Sequence, residues 1–134
     1  MSRKEKTSDR LVAERLSEQV FAMSESIRSV AVYYRGRLGS ISKPYPGGAG
    51  WWDSDKYEEL IVNPTLITLL RQRGNIDCGG IRHIMIRYGT LTQCVVPIEG
   101  GHISIAFEPG SHPARRLSRI KKLLSEKQLI SEGR

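Results

Sequence analysis

Apolar residues first recur at helical spacing, at Leu11, Val12, Leu16, Val20 and Met23, with Glu14, Glu18 and Gln19 among the polar positions between them. Ser8 or Asp9 precedes this run and carries a side-chain oxygen suited to capping free backbone N–H groups, so a helix is expected from near Arg10. The helical period ends between Ser24 and Ser26. Ile27 to Tyr34 then reads as a strand, rich in β-branched and aromatic residues and apolar on both faces at its middle, which suits a covered interior strand. Arg35-Gly36-Arg37 predicts a hairpin turn with Gly36 free to take positive φ, and Leu38 to Ser42 the returning strand.

From Lys43 to Asp53 regular structure is excluded by Pro44, Pro46, Gly47, Gly48 and Gly50. A second helix is expected from near Asp55, where Asp55-Lys56-Tyr57-Glu58 has capping-box spacing. Its expected buried side is Tyr57, Leu60, Ile61, Leu66, Ile67, Leu69 and Leu70. Asn63-Pro64 should kink or split it, because proline lacks the N–H and clashes with the preceding turn. Gly74 offers a C-terminal stop.

Three alternating runs follow. In Ile81 to Tyr88, Ile84, Ile86 and Tyr88 share one face, against Ile81, His83, Met85 and Arg87. Gly89-Thr90 turns into Leu91 to Ile98. Glu99-Gly100-Gly101 turns into His102 to Phe107, where Ile103, Ile105 and Phe107 alternate with His102, Ser104 and Ala106. A last helix is expected from Ala114 to near Ile130, with Leu117, Ile120, Leu123 and Leu124 as its inward stripe. The order α-β-β-α-β-β-β-α predicts an α/β (α+β) domain: a five-stranded antiparallel sheet with helices on both faces. The middle helix would cover one face, and the first and last helices the other.

A chain of 134 residues is long enough to bury roughly two thirds of its unfolded surface as one domain. That domain is expected over residues 10–130, between a basic tail at 1–9 and a short tail at 131–134. No apolar run approaches the length of a membrane span. The charged opening from Met1 to Lys6 lacks a following apolar stretch, so a secretory leader is not expected and Cys78 and Cys94 are read as reduced thiols in a cytoplasmic protein.

The net charge of +7 sits at the two ends. Residues 1–10 hold four basic and two acidic groups, and residues 115–134 hold seven and two, whereas 11–114 hold ten of each. A neutral body with basic ends is unlike a fold that is itself a nucleic-acid cradle.

On these patterns the chain resembles the Roadblock/dynein-light-chain family, closest to the small roadblock-like proteins of archaea. The matching residues are Ile27-Arg28-Ser29-Val30-Ala31-Val32 before the Gly36 turn, Leu66 to Gly74, the Gly80 to Phe107 meander with Pro97-Ile98-Glu99-Gly100-Gly101-His102-Ile103, and Ser118 to Leu124. The likeness spans about residues 10–125 and rests on pattern, without a signature motif. The Pro44–Trp52 stretch is longer and more aromatic than the loop such folds often use there. The resemblance implies a roadblock/profilin-like fold and a non-catalytic regulatory or scaffolding module. Such a module pairs the edge strand after the middle helix with that of a second copy, and its paired helices offer a surface to a protein partner such as a small GTPase. The homodimer edge would then be Ile81, Ile84, Met85 and Ile86, guarded only by Arg82 and Arg87.

Enzyme chemistry finds no support. Cys78, His83, Cys94, His102 and His112 lack metal-ligand spacing. No nucleophile elbow is present, and Cys94 sits in an apolar strand as a small core residue would. Asp53/Asp55 and Glu58/Glu59 suit capping and dipole compensation. Gly47-Gly48-Ala49-Gly50 lacks the lysine of a phosphate loop. No cofactor or metal is expected. Trp51 and Trp52 are candidate partner-binding anchors, since tryptophan is enriched in binding hot spots; the alternative is that one tucks under the second helix while the other covers the sheet edge. Arg115, Arg116, Arg119 and Lys122, with Lys121, form a basic patch at the start and polar side of the last helix. The patch supports an alternative function, nucleic-acid binding through phosphates, though it lacks the aromatics for base stacking. A profilin- or PAS-like sensor with a small ligand under the middle helix is a third reading.

Overall fold

A computed structural model of the chain describes residues 3–44 and 57–130. In chain order these form α1 (Arg3–Phe21), β1 (Ile27–Tyr34), β2 (Arg37–Ser42), a π-helical turn (Glu58–Val62) that runs into α2 (Asn63–Asp77), β3 (Ile84–Arg87), β4 (Thr92–Ile98), β5 (Gly101–Phe107) and α3 (Pro113–Glu126). The five strands make one antiparallel sheet in the order β2-β1-β5-β4-β3. Element order and architecture agree with the sequence pattern. Trp51, Trp52, Asp53, Asp55 and most of the Pro-Gly stretch lie outside the described residues, as do residues 131–134.

Strand periodicity sorts side chains onto two unlike faces. On one, Val30, Val32 and Tyr34 of β1, Ile103, Ile105 and Phe107 of β5, and Cys94, Val96 and Ile98 of β4 meet Ala13, Leu16 and Val20 of α1 and Leu117, Ile120 and Leu124 of α3. This is the hydrophobic core, where each large aliphatic side chain contributes about 1.5–3 kcal/mol by leaving water. α1 lies so close over β2 that a Cβ on Gly39 would come within 2.6 Å of the Ala13 backbone, so only glycine fits there. The β1–β2 hairpin is a two-residue turn with Arg35 at φ 48° and Gly36 at φ 83°. Both central residues left-handed is the geometry that matches strand twist.

Several local expectations are corrected. α1 begins at Arg3, so neither Ser8 nor Asp9 caps it. Asp9 is buried on the core side, with its carboxylate 3.8 Å from the Arg35 guanidinium. Leu11 and Val12 are exposed, and the buried stripe is Asp9, Ala13, Leu16, Ser17 and Val20. The strand expected over Ile81–Tyr88 is paired only from Ile84 to Arg87. The last helix ends at Glu126, after which Leu129 returns to the sheet and accepts a hydrogen bond from the Glu99 N–H at 2.8 Å.

Gly74 does not stop α2. The helix runs on to Asp77, and the chain reverses at Gly79 and Gly80, both at positive φ, where the Gly80 N–H closes back on the Gly74 carbonyl at 2.9 Å. The largest departure is the burial of the middle helix. Its buried residues are Glu59, Asn63, Ile67 and Gly74, with Leu66 half-buried, while Tyr57, Leu60, Ile61, Leu69 and Leu70 face outward.

Candidate functional site

Proline explains how the middle helix turns the expected side outward. In an α-helix Pro64 would have to bond the Leu60 carbonyl with an N–H it lacks, and its ring would strike that carbonyl. The chain instead widens by one residue, and the Asn63 N–H donates to the Glu58 carbonyl across a π-turn. Tyr57, at the start of this turn, makes no side-chain cap. Glu59, Asn63 and Ile67 then stand at spacings of four, on the side facing the sheet.

The sheet face they meet is mixed: Ser29, Ala31 and Tyr33 of β1, His102, Ser104 and Ala106 of β5, and Gln93, Val95 and Pro97 of β4. His102 Nε2 donates to Glu59 Oε1 at 2.9 Å, with the two side chains 2% and 1% exposed. The same oxygen accepts from Asn63 Nδ2 at 2.9 Å. The Tyr33 ring stacks on the imidazole at a centroid distance of 5.7 Å. Gln93 Nε2 donates to Ser104 Oγ beside them. Of these bonds only Glu59–His102 crosses from helix to sheet, and a shift of the helix would leave both of those buried groups without each other. Glu59 therefore does not serve as a dipole-compensating surface carboxylate. Sequence reading missed the Glu59–His102 pair; its only signals were the Asn63-Pro64 break and a histidine in an otherwise apolar strand.

The consequence lies on the outside. Leu60, Ile61, Leu69 and Leu70, with Tyr57 and Ile76, form an exposed apolar side of the helix, Leu69 at 58% and Ile76 at 74% exposure. β3 runs alongside. Ile81, just before the strand, sits against Gly74, while Tyr88, just after it, feels the charge of Glu58 at the opposite end of the helix. Burial, then Glu58, holds the Tyr88 hydroxyl above the usual phenol range. β3 is one edge of the sheet, β2 being the other, and among the described residues only β4 pairs with it. An edge strand and an apolar helix side thus lie next to each other.

The residues expected at the edge divide between the two faces. Ile84 and Ile86 are half-buried opposite Val95 and Gln93, on the α2 side, with Ile81 half-buried beside Gly74. Met85 is exposed opposite Cys94, on the α3 side. Arg115, Arg119 and Lys122 are exposed on α3, while Arg116 is half-buried with its Nε out of contact with water and without a hydrogen bond among the described residues.

The cysteines and histidines are scattered. Among the described residues no three His, Cys, Asp or Glu side chains stand close enough to hold a metal ion. Cys78 is exposed, its thiol raised above the ordinary value mainly by donating to Asp77 Oδ1. Cys94 is buried, which pushes its thiol up to about 12. No described helix is long and apolar enough to cross a membrane.

Three helices on a five-stranded antiparallel sheet in this order are the fold of Roadblock/LC7 domains. A Roadblock/LC7 domain from Streptomyces avermitilis superposes with a TM-score of 0.64 at 12% identity, over 86% of this chain and 93% of that one. Myxococcus xanthus MglB superposes with a TM-score of 0.56 at 11% identity, over 100% of this chain and 98% of its own. Neither a family model nor a curated protein matches the chain in sequence. The similarity is one of fold.

Proposed function

We propose that the protein is a non-catalytic regulatory or scaffolding module that works as a homodimer. Its β3 edges pair across two copies, and its middle helices form a platform for a protein partner, a small GTPase or a component of such a system. The observation that carries this is the apolar outward side of the π-turn and α2 lying directly beside a sheet edge that, among the described residues, only β4 pairs. Exposed apolar side chains grouped in one place mark interaction sites, and an unpaired strand is a template for a second strand. The Roadblock/LC7 fold supports the same reading, since the family resemblance implies self-association at that edge. Trp51 and Trp52, which precede the middle helix in sequence, belong to the partner surface in this proposal. The protein is taken as cytoplasmic, a reading that two free thiols support, and as kin to the small archaeal roadblock-like proteins on the sequence resemblance alone.

Light scattering on the purified chain at low and high salt, with absorbance at 260 and 280 nm, tests the assembly. A salt-insensitive dimer free of nucleic acid is expected. Ile84→Lys places a charge on the β3 edge and should weaken the dimer by about 2 kcal/mol, roughly thirtyfold in dissociation constant. Its urea midpoint should move little, because Ile84 is half-buried and outside the core cluster. A wild-type monomer at high protein concentration would overturn the dimer. A monomer carrying nucleic acid that salt removes would move the function to the basic helix.

A further inference from the structure

On the sheet face away from α2, β3 and α3 enclose a groove of about 300 Å3 lined by His83, Met85, Ala114, Leu117, Ser118 and Lys121. Ala114, Leu117, Ser118 and Lys121 fall at spacings of three and four, so one stripe of α3 forms a whole wall. Met85, Leu117 and Ala114 are its apolar lining. Its polar groups are all donors or donor-capable. Lys121 Nζ donates to His83 Nδ1 at 2.8 Å, which leaves the ring proton on Nε2 and the remaining ammonium N–H groups unused. The Ser118 hydroxyl has no partner among the described residues.

The charge of this corner is unbalanced. Among the described residues Lys121 forms no ion pair, and neither do Arg82, Arg115, Arg116, Arg119 or Lys122 around it. Lys121 is held below the ordinary lysine range by burial; Cys94 opposes that shift and Arg82 adds to it. His83 is held below the ordinary histidine range by burial and by Lys121. A lysine that spends a hydrogen bond on a neutral imidazole, with cations around it, lacks an anion.

We propose that this groove binds a small organic phosphate, a phosphomonoester. Lys121 and Ser118 hold the phosphoryl oxygens, His83 positions the Lys121 ammonium, and Met85 and Leu117 carry the organic body. A phosphoryl group matches the donor set, offering several acceptor oxygens to an ammonium, a hydroxyl and the His83 Nε2–H. The volume is at the lower end of small-molecule sites and exceeds what a bare ion needs. A nucleic-acid strand would instead track a convex row of cations, such as Arg115, Arg119 and Lys122 on the outer side of the same helix. The site shares Met85 with the β3 edge but uses no residue of the α2 surface, and its failure in ligand binding would leave the dimer, read by light scattering, standing.

The full chain is titrated with AMP, glucose 6-phosphate, adenosine and inorganic phosphate, following histidine ring resonances by NMR and affinity by calorimetry. At least one phosphomonoester should shift His83 while buried His102 stays fixed, and should bind about tenfold tighter than adenosine or inorganic phosphate. Lys121→Met should weaken that binding about 10–100-fold, the worth of a charge-assisted hydrogen bond. Ser118→Ala should weaken it about fivefold, by loss of a neutral donor. Lys122→Met makes the same charge change outside the groove and should alter affinity less than about twofold, as a screened surface charge does. Equal losses in Lys121→Met and Lys122→Met would overturn the site in favour of diffuse charge attraction. So would a His83 unmoved by either ester, inorganic phosphate binding as tightly as the esters, or displacement of the ester by a single-stranded RNA that depends equally on Arg115, Arg119 and Lys122.

Discussion

The two faces of the sheet are built from the same strands by alternate residues, yet they do different work. Under α1 and α3, Val32, Val96, Ile103, Ile105 and Phe107 make a dry interface whose members can be exchanged for other apolar shapes at modest cost. Under the π-turn and α2, a buried Glu59–His102 bond joins helix to sheet, with Asn63 bonded to Glu59 on the helix side and Gln93 to Ser104 on the sheet side. The first face supplies stability without strict direction. The second adds direction through the buried Glu59–His102 bond, on a face that also covers Val95, Ile67, Ala31 and Ala106. Anchoring the middle helix through polar groups frees its leucines and isoleucines to point outward. The same anchor keeps that outward side in fixed register with the β3 edge.

The contrast is open to direct disruption. Phe107→Ala on the dry face should cost about 3–5 kcal/mol in urea denaturation, since it removes a fully buried ring and leaves a cavity. A loss below 1 kcal/mol would mean that face is not the main source of stability. On the polar face, Glu59→Ala strands His102 and Asn63 without their acceptor and should cost about 3 kcal/mol. Replacing both partners, as Glu59→Met with His102→Leu, should recover much of that loss, while the dimer weakens if the helix loses its single register. Additive losses in the double variant would show that the pair is not coupled.

A smaller effect comes from Cys94 in the dry face. Its folded pKa is raised from 9.0 to about 12, so its contribution is present in full below pH 9 and is lost as pH rises toward 12, where the unfolded thiol ionises and the folded one does not. Between pH 9 and 10.5 the wild type should lose up to about 1.4 kcal/mol per pH unit more than Cys94→Ala. In the native state a thiol reagent should label exposed Cys78 and spare Cys94. Parallel stability curves for the two proteins, or equal labelling of both cysteines, would remove Cys94 from the closed core.

What the sequence determined by itself was the sequence of elements and the dry face. Alternation in Ile27–Tyr34 and His102–Phe107, and the stripe of Leu117, Ile120 and Leu124, are local signals, because periods of two and 3.6 residues are set by backbone geometry. The Gly36 hairpin and the Asn63-Pro64 disturbance were legible for the same reason. Tertiary structure decided the sense of the middle helix. Its apolar residues, read alone, belong inside, and it is the buried Glu59–His102 bond, with the π-turn that carries Glu59, that leaves them outside. Tertiary structure also decided which histidines have partners: His102 meets a carboxylate 43 positions earlier, and His83 a lysine 38 positions later. Pairings at such separations depend on how the strands and helices pack, and no local period encodes them.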